Sequence, residues 1–321
     1  MKYSETKVYK IAKESLKIAE KTVPPYSSKY SKKTYTQHQH IAVLFAMTKI
    51  GKDLRETEEA LCNMPYLCDM IGLESVQDFT TICRKRKQLS AKFFLVMLYL
   101  SASLIPNSGK ASIDATGFDR RHSSKHYAKR CRIRIKSMKT TLIIDTETLA
   151  ILGFHATASR KHDSKIVVPL VRTVKKKFRI DVLPADKGYD GREVRRLLKA
   201  MGIRPLIKHR VYGYMQEIWN NRMKNEDYHR RSLSETVNSM LKRNYNDTLY
   251  ARDYGTQVKE LMIMLTVHNI ERMLNFIALI FGGLQQSRSS IFLELVEEPT
   301  NSTFLPSIQY RIVPLITYTL C

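Results

Sequence analysis

Residues 137–159, SMKTTLIIDTETLAILGFHATAS, decide the fold. Ser137 to Asp145 and Ala150 to Ser159 are dominated by β-branched and apolar residues, and the polar Thr146-Glu-Thr148 separates them. Two such arms around a short polar connection predict a β-hairpin. Upstream, Lys110 to Phe118 (KASIDATGF) is a further strand-like run. Downstream the pattern alternates. His162-Asp163-Ser164 precedes a helix over Lys165 to Lys177, whose apolar residues Ile166, Val167, Leu170, Val171 and Val174 follow helical spacing. Arg179 to Ala185 then reads as a strand, Arg192 to Met201 as a helix and Arg204 to Ile207 as a short strand. Helical patterns over Tyr228 to Lys242 and Thr256 to Phe281 complete the order β-β-β-α-β-α-β-α-α. That order predicts an α/β domain, a mixed sheet with helices on both faces.

The residues before it read differently. Val8, Ile11, Ala12 and Leu16 fall at helical spacing, and Gln39 to Met47, Thr57 to Met64 and Ala91 to Ile105 have helix-length apolar patterns. Ser75-Val-Gln-Asp78 opens another helix, which ends in the basic run Arg84-Lys-Arg-Lys87. A helix carrying such a run suits a helix-turn-helix that enters the major groove, and equally a dimerisation bundle with a solvated outer face. The expected organisation is a helical DNA-binding or dimerisation region over 1–107, an α/β catalytic domain over 108–284, and an atypical tail over 285–321. The tail carries scattered prolines and a slight acidic excess (Arg288 and Arg311 against Glu294, Glu297 and Glu298), and reads as an appendage.

Composition narrows the function. Hydrophobic residues make up 43% and charged residues 26% of the 321, values that exclude wholesale disorder. Against 30 acidic residues stand 54 Lys and Arg, a net +24. A surplus of that size repels itself unless a polyanion shares the surface, and nucleic acid is the usual polyanion. The cysteines (Cys62, Cys68, Cys83, Cys131, Cys321) are odd in number and irregularly spaced, which fits free thiols rather than structural zinc or a disulfide framework. The amino terminus alternates charges without a signal-peptide core, and the apolar stretch 273–284 is too short to span a bilayer. A soluble intracellular protein is the expectation.

Three carboxylates stand where chemistry collects. Asp114 lies mid-strand in SIDATGF, flanked by Ile113 and Ala115, where an unpaired charge is costly. Asp186 ends the fourth strand in VLPADKGYDG, and carboxyl ends of strands are where sites form in α/β sheets. Side by side on adjacent strands the two would repel, and a divalent cation such as Mg²⁺ resolves that repulsion. In YHRRSLSETVNSMLK, Tyr228, Arg231, Glu235 and Lys242 share one face of a continuous helix. Such a face offers a carboxylate to a metal and cations to a phosphodiester. An exposed face with ordinary Arg231–Glu235 pairing is the alternative.

The other acids have simpler readings. Asp163 reads as a fourth carboxylate or, more simply, as the cap of the helix after it, Asp145 as hairpin chemistry, and Asp119 and Asp190 as surface or support. Between the first two strands, Arg120, Arg121, Lys125, Lys129, Arg130, Arg132, Arg134, Lys136 and Lys139 form a basic stretch, either a DNA-backbone loop or a solvated one. Trp219 is the sole tryptophan, open to packing or to stacking on a base.

SIDATGF around Asp114, ADKGYDG around Asp186, and Tyr-x2-Arg-x3-Glu-x6-Lys over 228–242 together resemble the DDE transposases of insertion sequences, whose Y-R-E-K signature has that spacing. His162-Asp163-Ser, Lys187-Gly-Tyr189 and Arg204-Pro-Leu-Ile-Lys208 resemble insertion-sequence family five, particularly its archaeal members. The resemblance runs from Ser112 to Leu274, and more weakly over Glu74 to Leu89. It implies a ribonuclease-H-like fold, in agreement with the strand and helix order.

The resemblance also implies two Mg²⁺ ions, with Mn²⁺ able to substitute, on Asp114, Asp186 and Glu235. Those ions would serve cleavage at the terminal inverted repeats and transfer of the 3′-hydroxyl to target DNA. Tyr228, Arg231 and Lys242 would contact the transposon-end backbone, joined by Lys208 and the basic stretch. Partners would be double-stranded DNA and a second copy of the chain, with no membrane, in a prokaryotic, nucleoid-associated cytoplasmic setting. The interval from Asp186 to Glu235 is too short for the large β-rich insertion of some relatives, so the hairpin-forming chemistry it supports there is not expected. Two rival readings are an inactive transposase-derived DNA-binding protein and a two-metal nuclease without strand transfer.

Overall fold

The computed structural model describes residues 6–120, 137–159, 161–223 and 225–294. Six helices come first: α1 (Lys7–Thr22), α2 (Gln37–Ile50), α3 (Leu54–Cys62), α4 (Pro65–Met70), α5 (Phe79–Gln88) and α6 (Ala91–Ser103). Their starts are written in the sequence. Thr36 and Asp53 form capping boxes with Gln39 and Glu56, and Asp78 and Ser90 cap α5 and α6. The basic helix thus begins at Phe79 rather than near Ser75, because Asp78 supplies the acceptor for the free amides of its first turn.

The sheet then follows as β1 (Ala111–Arg120), β2 (Ser137–Asp145), β3 (Ile151–Thr157), β4 (Val182–Ala185), β5 (Arg204–Ile207) and the two-residue β6 (Thr248–Leu249). Strand order is β3-β2-β1-β4-β5, with β6 beside the far end of β1. β1, β2 and β3 pair antiparallel, while β4 and β5 join in parallel. The intervening helices are α7 (Asp163–Lys175), α8 (Arg192–Ala200), α9 (Tyr214–Asn221), α10 (Asn225–His229), α11 (Ser232–Tyr245) and α12 (Tyr254–Glu294). This is the mixed sheet with flanking helices expected of a ribonuclease-H-like fold, preceded by a helical region.

Strand alternation separates two cores. Leu142 and Ile144 of β2 face a cluster built by α1, α2, α5, α6, α11 and α12, while Ile143 joins the cluster of α7, α8 and the parallel strands. On the second face Gly153 of β3 admits α7 closely: a Cβ there would meet Val174 Cγ2 at 2.4 Å. On the first, buried Asn269 of α12 accepts from the Ile151 amide (2.8 Å) and donates to its carbonyl (3.0 Å), fastening α12 to β3.

Two expectations about organisation change. Secondary structure does switch between Ser103 and Ala111, yet the helical region shares one core with β1, β2 and β3, and Met1–Ile277 is a single compact unit. The second unit is Ala278–Cys321, of which the described part is helical as far as Glu294. Residues 285–294, read from the sequence as appendage, therefore continue a helix, and 295–321 lie outside the described residues. Tyr254–Ile280 is also long and apolar enough to cross a membrane by length and composition, a longer span than 273–284. Half of it is buried, with Leu261, Leu265, Val267 and Ile270 in the first core.

Burial holds the imidazoles of His40 and His268 down at about 4. His268 donates from Nε2 to the Leu149 carbonyl at 2.9 Å, bracing the turn of the β2–β3 hairpin. The unfolded chain protonates both rings near their ordinary value of 6.5, whereas the folded chain keeps them neutral. Stability is therefore full above about pH 6.5 and is lost as pH falls toward about 4, by at most about 3 kcal/mol per ring. Urea midpoints at about pH 7.5 and about pH 5 check this, and equal midpoints would refute it.

Candidate active site

β1 and β4 pair with Ile113 opposite Ala185, so the next residue on each strand, Asp114 and Asp186, leaves the sheet from neighbouring positions. Asp186 caps the 3₁₀ turn Lys187–Tyr189, which carries the Tyr189 ring back into the second core. The Tyr189 hydroxyl is buried with no hydrogen-bond partner among the described residues. Burial raises its pKa well above the usual phenol range, and the nearby charges of Asp163, Asp114 and Asp186 raise it further.

α11 brings the third carboxylate. Its first turn is pinned to β1 by a buried Ser112–Ser234 hydroxyl pair at 3.2 Å, which sets Glu235 on the rim above the strand. Arg231 stands at the head of the helix with Nη1 2.6 Å from Glu235 Oε1 and 3.9 Å from Asp186 Oδ1. Burial disfavours that guanidinium, but Glu235, the Tyr228 phenol and Asp186 together raise its pKa above the usual range. Farther along the same face Asn238 donates from Nδ2 to Asp114 Oδ2 at 2.9 Å. The Asp114 carboxyl is pushed up chiefly by burial, with the Glu235 charge adding to the effect. Asp186 and Glu235 are about half exposed, at 52% and 53% of their side-chain surfaces.

The three carboxylates thus line one rim with Arg231 bridging two of them. Among the described residues, no three His, Cys, Asp or Glu side chains gather tightly enough to hold one metal ion. The donor chemistry nevertheless fits a hard divalent cation, since the rim offers carboxylate oxygens. Asn238 Oδ1 is buried beside Asp114 with no partner among the described residues, an oxygen with lone pairs to spare.

The helix face expected over 228–242 needs correction. Tyr228 belongs to α10, and a turn at Arg230 and Arg231 separates it from α11. The Ser232 and Ser234 hydroxyls donate to the carbonyls of His229 and Arg231 at 2.8 and 2.7 Å, competing with the continuous helical ladder. Arg231, Glu235 and Lys242 remain on one helical face, with Lys242 Nζ 5.8 Å from the Phe118 ring centre. Tyr228 stays near Arg231 through packing, its ring beneath Lys208 Nζ at 4.6 Å.

Asp163 does not cap α7; that position is His162, and Asp163 pairs with Lys139 Nζ at 2.6 Å. Lys139 is accordingly a strand residue with a fixed partner rather than part of a free loop. Asp190 supports the site's flank, accepting from Arg195 Nε and Nη2 and from the Arg210 amide. Asp119 is exposed at the end of β1, and Arg120 Nε donates to Gln257 Oε1 at 2.8 Å. Arg121, Lys125, Lys129, Arg130, Arg132, Arg134 and Lys136 lie outside the described residues. Trp219 is 47% exposed and packs against His209 with ring centres 5.4 Å apart.

Sequence reasoning missed Asn238 and the Tyr189 phenol. Asn238 was within reach, because it falls three residues after Glu235 and seven after Arg231 on the same face. A comparison with protein families matches residues 108–270 to the model described as the transposase DDE domain.

Proposed function

The chain belongs to the transposase DDE domain family, and from that premise we propose that it cleaves the ends of an insertion sequence and joins the freed 3′-hydroxyl to target DNA. The observation that carries this reading is the rim on which Asp114 and Asp186 leave neighbouring parallel strands beneath the Arg231–Glu235 pair. Asp114, Asp186 and Glu235 would hold two Mg²⁺ ions, which supply Lewis acidity at phosphorus and a nucleophilic oxygen at neutral pH. Mn²⁺, another divalent cation that accepts oxygen ligands, is expected to substitute.

The chain's own residues do the rest. Asn238 orients the Asp114 carboxylate, and the buried Ser112–Ser234 pair keeps the helix at its height over the strand. Arg231 holds the half-exposed carboxylates of Asp186 and Glu235 in place and presents the remainder of its guanidinium to a phosphodiester. Tyr228, Lys208 and Lys242 extend that cationic strip toward the DNA backbone, with Arg120 and the basic stretch after it adding charge. Synapsis of two DNA ends calls for a homodimer, and the work belongs at the nucleoid of a prokaryotic cytoplasm.

End-labelled duplexes from the borders of the gene's own locus, incubated with protein and Mg²⁺ or Mn²⁺, test the reading. Nicking at a fixed border position followed by joining to a second DNA is the expected result. Nicking without joining would indicate a nuclease, and border binding without cleavage an inactive derivative. Asn238→Ala should slow border cleavage by about 10–100-fold, the usual effect of removing a group that orients a metal-binding carboxylate. An unchanged single-turnover rate would remove Asn238 from the machinery.

A further inference from the structure

A groove of about 910 Å³ lies where the amino-terminal helices meet the far end of α11 and the start of α12. Its acids are already engaged. Asp53 caps α3 and Asp253 caps α12, while Glu260 accepts from the Tyr250 and Ala251 amides at 3.0 and 2.9 Å. Its bases are not. Among the described residues, no carboxylate comes within ion-pair distance of Arg84, Lys87 or Arg252, and all three are exposed. The Nε of Arg86, deeper in the groove, is buried with no hydrogen-bond partner among the described residues.

The basic end of α5 is also held in place. Lys259 Nζ of α12 donates to the carbonyls of Arg86 and Lys87 at 3.4 and 2.6 Å, which fixes the last turn of α5 against the α12 side of the groove. A single phosphate would call for donors converging on one point, whereas these free cations sit on two separate elements and along one helical turn. That spread suits an anion that repeats.

The groove and the carboxylate rim lie toward opposite ends of α11. Tyr245 and Asn246, at the end of α11, line it, and Glu235 stands ten residues back along that helix. At 1.5 Å per residue this is about 15 Å, or about four nucleotide steps of 3.4 Å.

We propose that this groove seats the DNA backbone, Arg84, Lys87 and Arg252 each neutralising phosphates about four nucleotides from the cleaved bond. The proposal rests on the DNA-cleaving function proposed above and assigns it a second contact surface outside the carboxylate rim. The test compares two triple variants of equal charge: Arg84→Gln, Lys87→Gln, Arg252→Gln in the groove, and Lys7→Gln, Lys10→Gln, Lys13→Gln on the exposed side of α1. Each is titrated with labelled border duplex and with an unrelated duplex over a range of salt concentrations, after matching melting temperatures establish that both fold.

The groove variant is expected to bind both duplexes at least about tenfold more weakly, and its salt slope should fall by about two to three. The α1 variant should stay within about twofold of wild type. Equal losses in the two variants, or no loss in the groove variant, overturn the groove while leaving the DNA-cleaving function standing. A wild-type protein that binds neither duplex would refute that function, and the groove with it.

Discussion

Glu235→Gln and Asp186→Asn should each reduce border cleavage by about 10²–10³-fold or more, while DNA affinity and melting temperature stay near wild type. Each amide keeps the shape of its side chain and removes only the charge. The carboxylates are half exposed and make no contact inside either core, so the cost to folding should stay within about 0.5 kcal/mol. In the proposed reaction, in contrast, both charges would be needed to hold the divalent cations at the phosphodiester. Single-turnover cleavage, measured beside a binding titration and a thermal melt, separates the two effects. Loss of all three properties together would assign these carboxylates a structural role, with the Arg231 bridge as their sole purpose.

The largest expected loss of stability lies elsewhere, at Asp145. This carboxylate is completely buried at the end of β2. Its Oδ1 accepts from the Glu147 and Thr148 amides at 2.8 and 3.1 Å, closing the hairpin turn. Its Oδ2 accepts from the Ser108 amide, the Ser108 hydroxyl and Asn107 Nδ2 at 2.7, 2.8 and 3.3 Å, tying down the segment that leads into β1. Asp145→Ala strands these donors and should cost about 3–5 kcal/mol. Asp145→Asn, which keeps one accepting oxygen, should cost less. Urea denaturation checks the order, and equal stability of all three proteins would mean that water replaces the carboxylate.

The hairpin was the most legible part of the sequence. β2 begins and ends where Ser137 to Asp145 predicted, and β5 coincides with Arg204 to Ile207. Asp114 and Asp186 were legible because KASIDATGF and Arg179 to Ala185 read as strands, now β1 and β4. The break between α10 and α11 was not. Residues 228–242 have no proline or glycine, and the break depends on serine hydroxyls competing for carbonyls. The opposite failure occurred at the end of the long helix, whose pattern was followed only to Phe281 although α12 runs on through Gly282 and Gly283 to Glu294. Asp163 read as a cap because Asp before an apolar run commonly is one; only the fold brings Lys139 of β2 beside it. Asn238 went unread because a search for charges passes over a neutral amide, although the helical period had already placed it.

α9 has no buried residue, and Asn220 holds it through two hydrogen bonds to the His209 backbone, at 2.7 and 3.0 Å. Neither core depends on it, so added chain there would face mainly the slowly growing entropy of a longer loop, about 0.6 kcal/mol per doubling. Lineages could graft whole modules into 211–223 without refolding their catalytic heart. A fluorescent reporter inserted by design would exploit the same tolerance. The segment is in effect an evolutionary port, through which a member of the transposase DDE domain family can acquire new equipment while its two cores stay as they are.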